Sequence, residues 1–215
     1  LDLTNTYSVI AFQTGCGGAD ILSHIFDISY FTNAPKMDMI DKVMEAVIKT
    51  VVKYTPVAVE EPNNYEARAN LMWASSWALN GFLSTGAMQA ASCHMMEHEL
   101  SAFYDITHGL GLAILTPRWM EYILDETNAK DFKKFGVNVF GVEANLSEME
   151  GAKQAIVALS DFLFNKLGLQ STLTELGIDD KNFKVMAEKA CAGTVLHGFK
   201  VLKPADVEKI YKMCL

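Results

Sequence analysis

The chain has 215 residues, 50% of them hydrophobic and 20% charged, which is enough to bury the core of one large domain or of two small ones. Its formal net charge of -8 and the lack of any Lys/Arg run argue against nucleic acid or an anionic membrane surface as a partner. No apolar stretch is as long as a transmembrane helix, and no basic region followed by an apolar segment marks a signal peptide at the start of the sequence.

The cysteines lie far apart, without the CxxC spacing typical of zinc and redox sites, at Cys16, Cys93, Cys191 and Cys214. This usage predicts reduced thiols, and we therefore expect a cytoplasmic protein. The sequence begins with Leu1 rather than Met, which is compatible with a fragment, a processed chain or the ordered part of a longer protein.

Helical periodicity dominates the chain and predicts an all-α fold, a multi-helix bundle that forms one domain over residues 1–215. Between residues 38 and 54 the apolar positions recur every three or four residues, and Pro35 and Pro56 are predicted to bound this helix. The segment 63–83 has few polar positions and is predicted to be a long buried helix.

The second half of the chain continues in the same pattern. Further helices are predicted over residues 110–125, 147–168, 180–191 and 204–213. Pro117 is predicted to kink or divide the first of them, because proline removes a helical hydrogen bond. Ser147 and Glu150 have the spacing of a capping box, and Gly168 is a candidate C-cap. Alternating β-branched runs are almost absent, and residues 8–11 offer at most a short extended piece.

Two short segments contain the residue types that bind a transition metal. Asp20 and His24 are four residues apart, so on a helix they lie on one face and reach a single cation. Three of the five histidines fall in the fifteen residues from His94 to His108, and imidazoles from this segment would complete a set of one oxygen and three nitrogen ligands. Such a set suits Zn²⁺ or Fe²⁺ and leaves room for a substrate oxygen. The alternative, for each histidine taken alone, is a hydrogen-bonded core or surface residue.

Several segments, in the same order, resemble one family of metalloenzymes. They are FQTGCGGAD at 12–20 with the following His24, MWASSWALNG at 72–81, the stretch 92–109 that contains SCH, EHELSA and DITHG, and LAILTP at 112–117. On these motifs the chain resembles the C-terminal, all-helical domain of the iron-containing (group III) alcohol dehydrogenases, in particular the butanol dehydrogenase branch. The resemblance covers nearly the whole chain, and long gapped matches are more specific than any single short motif.

The resemblance implies roles for five residues. It implies that the metal ligands are Asp20, His24, His94 and His108. It also implies that His98 is a catalytic and cofactor-binding residue, which lies beside the nicotinamide ring and the substrate. A neutral imidazole at this position could orient the cofactor or help to move the alcohol proton. The alternative for His98 is a supporting residue that holds a metal ligand or Glu99.

The activity implied by the resemblance is oxidation of a small alcohol or reduction of an aldehyde, with NAD or NADP as cofactor and Fe²⁺ or Zn²⁺ as Lewis acid. The family's nucleotide-binding domain, with its Gly-rich pyrophosphate loop, should precede this segment and is absent from it. We therefore expect a nucleotide-binding domain in cis or in trans, and a homodimer as the assembly. The run Gly15–Gly18 follows no convincing strand, so we interpret it as a site of close helix packing near the metal rather than as that loop.

Two other functions stay open at this point. One is a truncated metal-binding helical module with no redox activity of its own. The other is a helical metallohydrolase that uses the same ligands and a metal-bound water; the lack of the adjacent His-Asp pair typical of one such class counts against it.

A few residues near these segments receive interpretations of their own. Asp27 stands where the family often has Glu, and we expect this difference to affect a helix contact only. Trp73 and Trp77 are one turn apart and are expected to pack in the core. Phe103 and Tyr104 lie between two ligand-bearing turns and are candidates for lining a pocket.

Overall fold

The computed structural model describes residues 2–33, 35, 37–85 and 91–215, and within them it contains helices and no β-strand, which confirms the predicted all-α fold. The α-helices in chain order are α1 Ala11–Ile25, α2 Asp38–Glu60, α3 Tyr65–Leu79, α4 Ser92–Tyr104, α5 His108–Ile123, α6 Ala129–Phe135, α7 Glu148–Ser160, α8 Phe183–Ala190 and α9 Pro204–Met213. Three of them, α1, α6 and α7, continue into π-helical turns at Phe26–Tyr30, Gly136–Phe140 and Asp161–Lys166. No helix in these ranges is long and apolar enough to cross a membrane.

Helix α5 is the central element of the bundle. It is apolar and buried over nearly its whole length, and it packs against α1, α4, α7 and α9. The remaining helices form further packed pairs, α1 with α2, α6 with α7 and α8 with α9. The first residue of α5, His108, therefore projects from the centre of the molecule toward α1 and α4.

Two prolines lie inside helices, which contradicts the prediction that Pro56 bounds its helix and leaves the helix of Pro117 undivided. Pro56 does not end α2, which continues to Glu60, and Pro117 does not divide α5. In each helix the residue before the proline is a buried threonine, and its hydroxyl donates to the carbonyl four residues earlier. These bonds join Thr55 Oγ1 to the Val51 oxygen and Thr116 Oγ1 to the Leu112 oxygen, both at 2.7 Å. Each bond gives a buried hydroxyl an acceptor within its own helix, but it does not replace the backbone hydrogen bond that the proline cannot make.

Helix α3 is shorter and more exposed than predicted. It covers Tyr65–Leu79 rather than 63–83, and Trp73 is 62% exposed, so the expected burial in the core is wrong for this residue. Trp77 is partly buried and packs edge-on against Phe82, with ring centroids 5.1 Å apart. The two tryptophans line a groove between α2 and α3.

The C-terminal predictions agree more closely with the structure. The capping box is present, with Ser147 accepting from the Glu150 amide and Glu150 accepting from the Ser147 amide. Gly168 has a φ of +66°, which is the left-handed backbone of a C-cap, and α9 has the predicted bounds. At the other end of the chain, only Ile10 of the expected extended piece 8–11 is extended, and Ala11 already begins α1.

Glycines allow α1 to approach its neighbours closely. A Cβ at Gly109 would overlap the Cys16 carbonyl oxygen on α1, and a Cβ at Gly18 would lie 2.5 Å from Thr55 Cγ2 on α2. The close-packing interpretation of the 15–18 run therefore applies to Gly18 but not to Gly17, which is exposed and would place a Cβ in open space. Because Gly109 adjoins His108, the α1–α5 crossing also sets the distance between His108 and the side chains on α1.

A methyl group at this crossing is expected to be costly. Gly109→Ala places a Cβ against backbone atoms that cannot rotate away, and we expect it to lower the free energy of unfolding by about 3 kcal/mol. The matched control is Gly17→Ala, which adds the same methyl group to an open helix position and should raise the free energy of unfolding by about 0.5–1 kcal/mol. Urea unfolding followed by circular dichroism measures both values. Equal effects of the two changes would show that the crossing is not tightly packed.

Candidate metal centre

Three helices bring the four predicted ligands together. Asp20 and His24 share one face of α1, and His24 Nε2 lies 3.5 Å from Asp20 Oδ1. His94, in the first turn of α4, and His108, the first residue of α5, each place Nε2 3.8 Å from the same oxygen. Three imidazole nitrogens therefore surround one carboxylate oxygen.

Asp20, His94 and His108 offer ligand atoms that all lie within 4.8 Å of one another, which suits a shared cation. His24 is outside this set of three and approaches it through its contact with Asp20. With metal–ligand bonds of about 2.1 Å in a tetrahedron, neighbouring ligand atoms are about 3.4 Å apart, close to the spacing found here. Asp20 Oδ1 and His94 Nε2 are both buried, and neither has a hydrogen-bond partner among the described residues. A buried polar atom normally has a partner, and a cation between the two atoms would satisfy both. The residues thus fit a divalent metal.

His98 lies at the edge of this cluster. It follows His94 by one turn of α4, it is exposed, and its ring stacks on that of His108 with centroids 5.6 Å apart. The ring centroids of His94 and His98 are 6.4 Å apart. Because the ring is both near the ligands and open to solvent, it can contact a molecule that approaches the metal from outside.

The charges of the cluster are strongly coupled. Burial raises the pKa of the Asp20 carboxyl, but the imidazoles of His94, His24 and His108 outweigh burial, and the pKa is lowered. Burial and the neighbouring His94 lower the pKa of His24. Burial lowers the pKa of His94 too, but contacts with Asp20 and Asp27 reverse the effect and raise it to about 9. Asp20 is therefore ionised and His24 neutral near pH 7, the forms in which these side chains bind metals, whereas His94 carries a proton that a bound cation would displace.

Sequence reasoning missed two buried carboxylates that contact the imidazoles. Asp27 Oδ2 lies 3.1 Å from His94 Nδ1, and Glu97 Oε2 hydrogen bonds to His108 Nδ1. The expectation that Asp27 affects a helix contact only is therefore wrong. A usable signal was present in the sequence, because Asp27 interrupts the apolar run Ile25–Phe26–Ile28 and ionisable side chains are rarely buried without a partner.

The two aromatic residues predicted to line a pocket make contacts with α8 and the turn before it. Lys189 Nζ lies 4.7 Å from the centre of the Phe103 ring. The Tyr104 hydroxyl accepts a hydrogen bond from Asn182 Nδ2 at 3.1 Å. These contacts give Phe103 and Tyr104 a role in joining α4 to α8.

Comparisons with known sequences identify relatives of this chain. A sequence model of the C-terminal part of the Fe-containing alcohol dehydrogenase family matches residues 14–215. NADH-dependent butanol dehydrogenase B of Clostridium acetobutylicum is 46% identical over 214 residues, which are 99% of this chain and 55% of that protein. The NADPH-dependent aldehyde reductase YqhD of Escherichia coli is 31% identical over 189 residues, 88% of this chain and 48% of that protein.

Solved structures show the same fold. YqhD of Escherichia coli K-12 superposes with a TM-score of 0.92 at 28% identity and covers 100% of this chain and 55% of its own. NADH-dependent butanol dehydrogenase A of Thermotoga maritima gives a TM-score of 0.89 at 32% identity, with 99% and 55% covered. The chain thus spans about half the length of the relatives that it matches.

Proposed function

Because this chain belongs to the Fe-containing alcohol dehydrogenase family, we propose that it is the metal- and substrate-binding half of an NAD(P)-linked alcohol dehydrogenase or aldehyde reductase. The observation that carries the proposal is the ring of three imidazole nitrogens around Asp20 Oδ1. The substrate is a small alcohol or aldehyde, in keeping with the names of the relatives. The nucleotide-binding half acts in cis or in trans, the expected assembly is a homodimer, and the expected compartment is the cytoplasm.

In this proposal Asp20, His24, His94 and His108 hold Fe²⁺ or Zn²⁺. When bound, such a cation supplies Lewis-acid chemistry that polarises an alcohol or carbonyl oxygen. Asp20 contributes the single negative charge among the ligands, and its burial in a cluster of imidazoles strengthens its attraction for a cation. Imidazoles bind a cation in their neutral form, so the histidines complete the set without adding charge once the metal is bound.

His98 has a different task because it is exposed beside the ligands. We assign to its ring, which stacks on His108 and is exposed, the contact with the nicotinamide and the substrate. In alcohol oxidation the imidazole accepts the hydroxyl proton, directly or through one water, and in aldehyde reduction it returns a proton to the same oxygen. Hydride transfer itself occurs between substrate and nicotinamide, so the remaining task of the protein is to position them.

Metal titration of the chain tests the proposal. Isothermal titration calorimetry of the metal-free chain with Zn²⁺, and with Fe²⁺ under anaerobic conditions, should give one bound ion per chain. A matched control is His197→Ala, which removes an exposed histidine outside the cluster and should leave the binding curve unchanged. Absence of binding, or binding that depends on His197, would overturn the proposal.

A further inference from the structure

We propose that Asp27 and Glu97 are positioning residues that hold His94 and His108 by Nδ1, so that Nε2 of each ring faces Asp20 before any metal binds. This inference rests on the proposed metal function and goes beyond it, because it concerns two carboxylates outside the proposed ligand set. Both are almost completely buried, Asp27 at 1% exposure and Glu97 at 0%.

Asp27 fixes the orientation of His94 by two hydrogen bonds. Its Oδ2 accepts the backbone N–H of His94 and faces the ring Nδ1, each at 3.1 Å. This contact engages Nδ1 of the ring and leaves Nε2 as the nitrogen that faces Asp20, at 3.8 Å from its Oδ1. The π-helical turn Phe26–Tyr30 places Asp27 in this position at the end of α1.

The same carboxylate also supports the start of α4. The N-cap of α4 is Ala91, which provides no side-chain hydrogen bond to the free N–H groups of the first turn. Asp27 accepts one of these N–H groups from another element and places a negative charge at the positive end of the helix. The ring and backbone of His94 are therefore held by one group.

Glu97 fixes the orientation of His108 in the same way as Asp27 fixes that of His94. One carboxylate oxygen bonds His108 Nδ1, and the other accepts the Ser101 hydroxyl at 2.5 Å. Gly111 on α5 makes room for this group, since a Cβ there would lie 2.6 Å from Glu97 Oε1. The two hydrogen bonds and the space left by Gly111 hold the Glu97 carboxylate against the first turn of α5.

Removing the negative charge at constant shape tests the proposal. Asp27→Asn and Glu97→Gln keep the size of the side chain and a neutral acceptor oxygen. We expect each to weaken Zn²⁺ binding about 10- to 100-fold, because partners that orient metal-bound histidines have effects of this size. Asp27→Glu retains the charge and should restore much of the affinity. The visible absorption of the Co²⁺-loaded chain, which reports coordination geometry, should change in the two amide variants.

The matched control is Glu45→Gln. Glu45 is also buried, at 6% exposure, and accepts hydrogen bonds from Tyr30 and Asn138 rather than from a predicted ligand. The substitution Glu45→Gln should lower the melting temperature without changing the affinity for Zn²⁺. A drop in affinity as large as that of Asp27→Asn would attribute the effect to general destabilisation and overturn the proposal.

The outcomes separate the two hypotheses. If the unmodified chain binds no Zn²⁺, the proposed function fails; if it binds one ion and the two amide variants bind equally well, only the positioning role fails. Asp27→Asn and Glu97→Gln change buried residues and could prevent folding, so Ser101→Ala provides a second test. Ser101 is partly exposed, and this change removes only the hydrogen bond that its hydroxyl donates to Glu97. It should weaken Zn²⁺ binding by a smaller factor than Glu97→Gln, and an unchanged affinity would count against the role of Glu97.

Discussion

His94→Ala is expected to abolish tight metal binding, whereas His98→Ala is expected to leave it intact. Four-ligand zinc sites typically provide about 10–16 kcal/mol of binding free energy, so the loss of one ligand should cost roughly a quarter of it, and affinity should fall at least about 100-fold. His98 lies one turn further along α4, with its ring beside His108 and exposed, and its removal takes away no ligand. Calorimetric Zn²⁺ titration and metal analysis after dialysis measure both variants.

In the proposed whole enzyme, the variants His94→Ala and His98→Ala also distinguish a metal-binding role from a catalytic role. With the nucleotide-binding half present, His98→Ala should reduce turnover while the metal content stays at the unmodified level. His94→Ala should lose metal and turnover together. Equal depletion of metal in both variants would identify His98 as a ligand or as a support for one, and the catalytic assignment would be abandoned.

The second expected result is that this chain by itself has no measurable butanol dehydrogenase activity. Dinucleotides bind in α/β sheets where a Gly-rich turn leads from a strand to a helix N-terminus, and no strand is found in the ranges that the structure describes. The chain could therefore bind a metal ion and still lack the groups that bind the pyrophosphate of the dinucleotide. Absorbance at the NADH and NADPH band, with butanol, saturating cofactor and Zn²⁺ or Fe²⁺, is the measurement.

Butanol dehydrogenase B of Clostridium acetobutylicum, which is 46% identical to this chain over 214 residues, is the positive control. Turnover of the chain near that of this relative would show that the helical half holds the cofactor unaided. In that case the hypothesis that one half binds the metal and the other half binds the dinucleotide would be wrong. Full Zn²⁺ binding without turnover is the result that supports it.

The fold class and the pairing of Asp20 with His24 could be predicted from the sequence because both follow from local spacing. Asp20 and His24 had to share a helix face at a separation of four residues, and the capping box at Ser147 depends only on its own turn. His94 and His108 belong to two different helices, and their convergence on Asp20 was expected from the resemblance and from the clustering of histidines. That these four residues bind a metal stays a prediction.

The errors concern properties that depend on distant parts of the chain. Pro56 was predicted to end its helix, but α2 continues through it to Glu60, and Pro56 is buried there. Trp73 has the apolar character of a core residue, but its face of α3 has no neighbour among the described residues that buries it. Asp27 finds its partner 67 residues away, a separation that no local pattern could indicate.

The distribution of the ligands over α1, α4 and α5 has a consequence for how the chain unfolds. A bound cation would act as a cross-link between residues 20 and 108 and would close a long loop that includes α2 and α3. The native state would then gain stability with the free metal concentration, by about 2.7 kcal/mol at one hundred times the dissociation constant. The helices α6 to α9 contribute no predicted ligand, so this cross-link would lie entirely within residues 20–108.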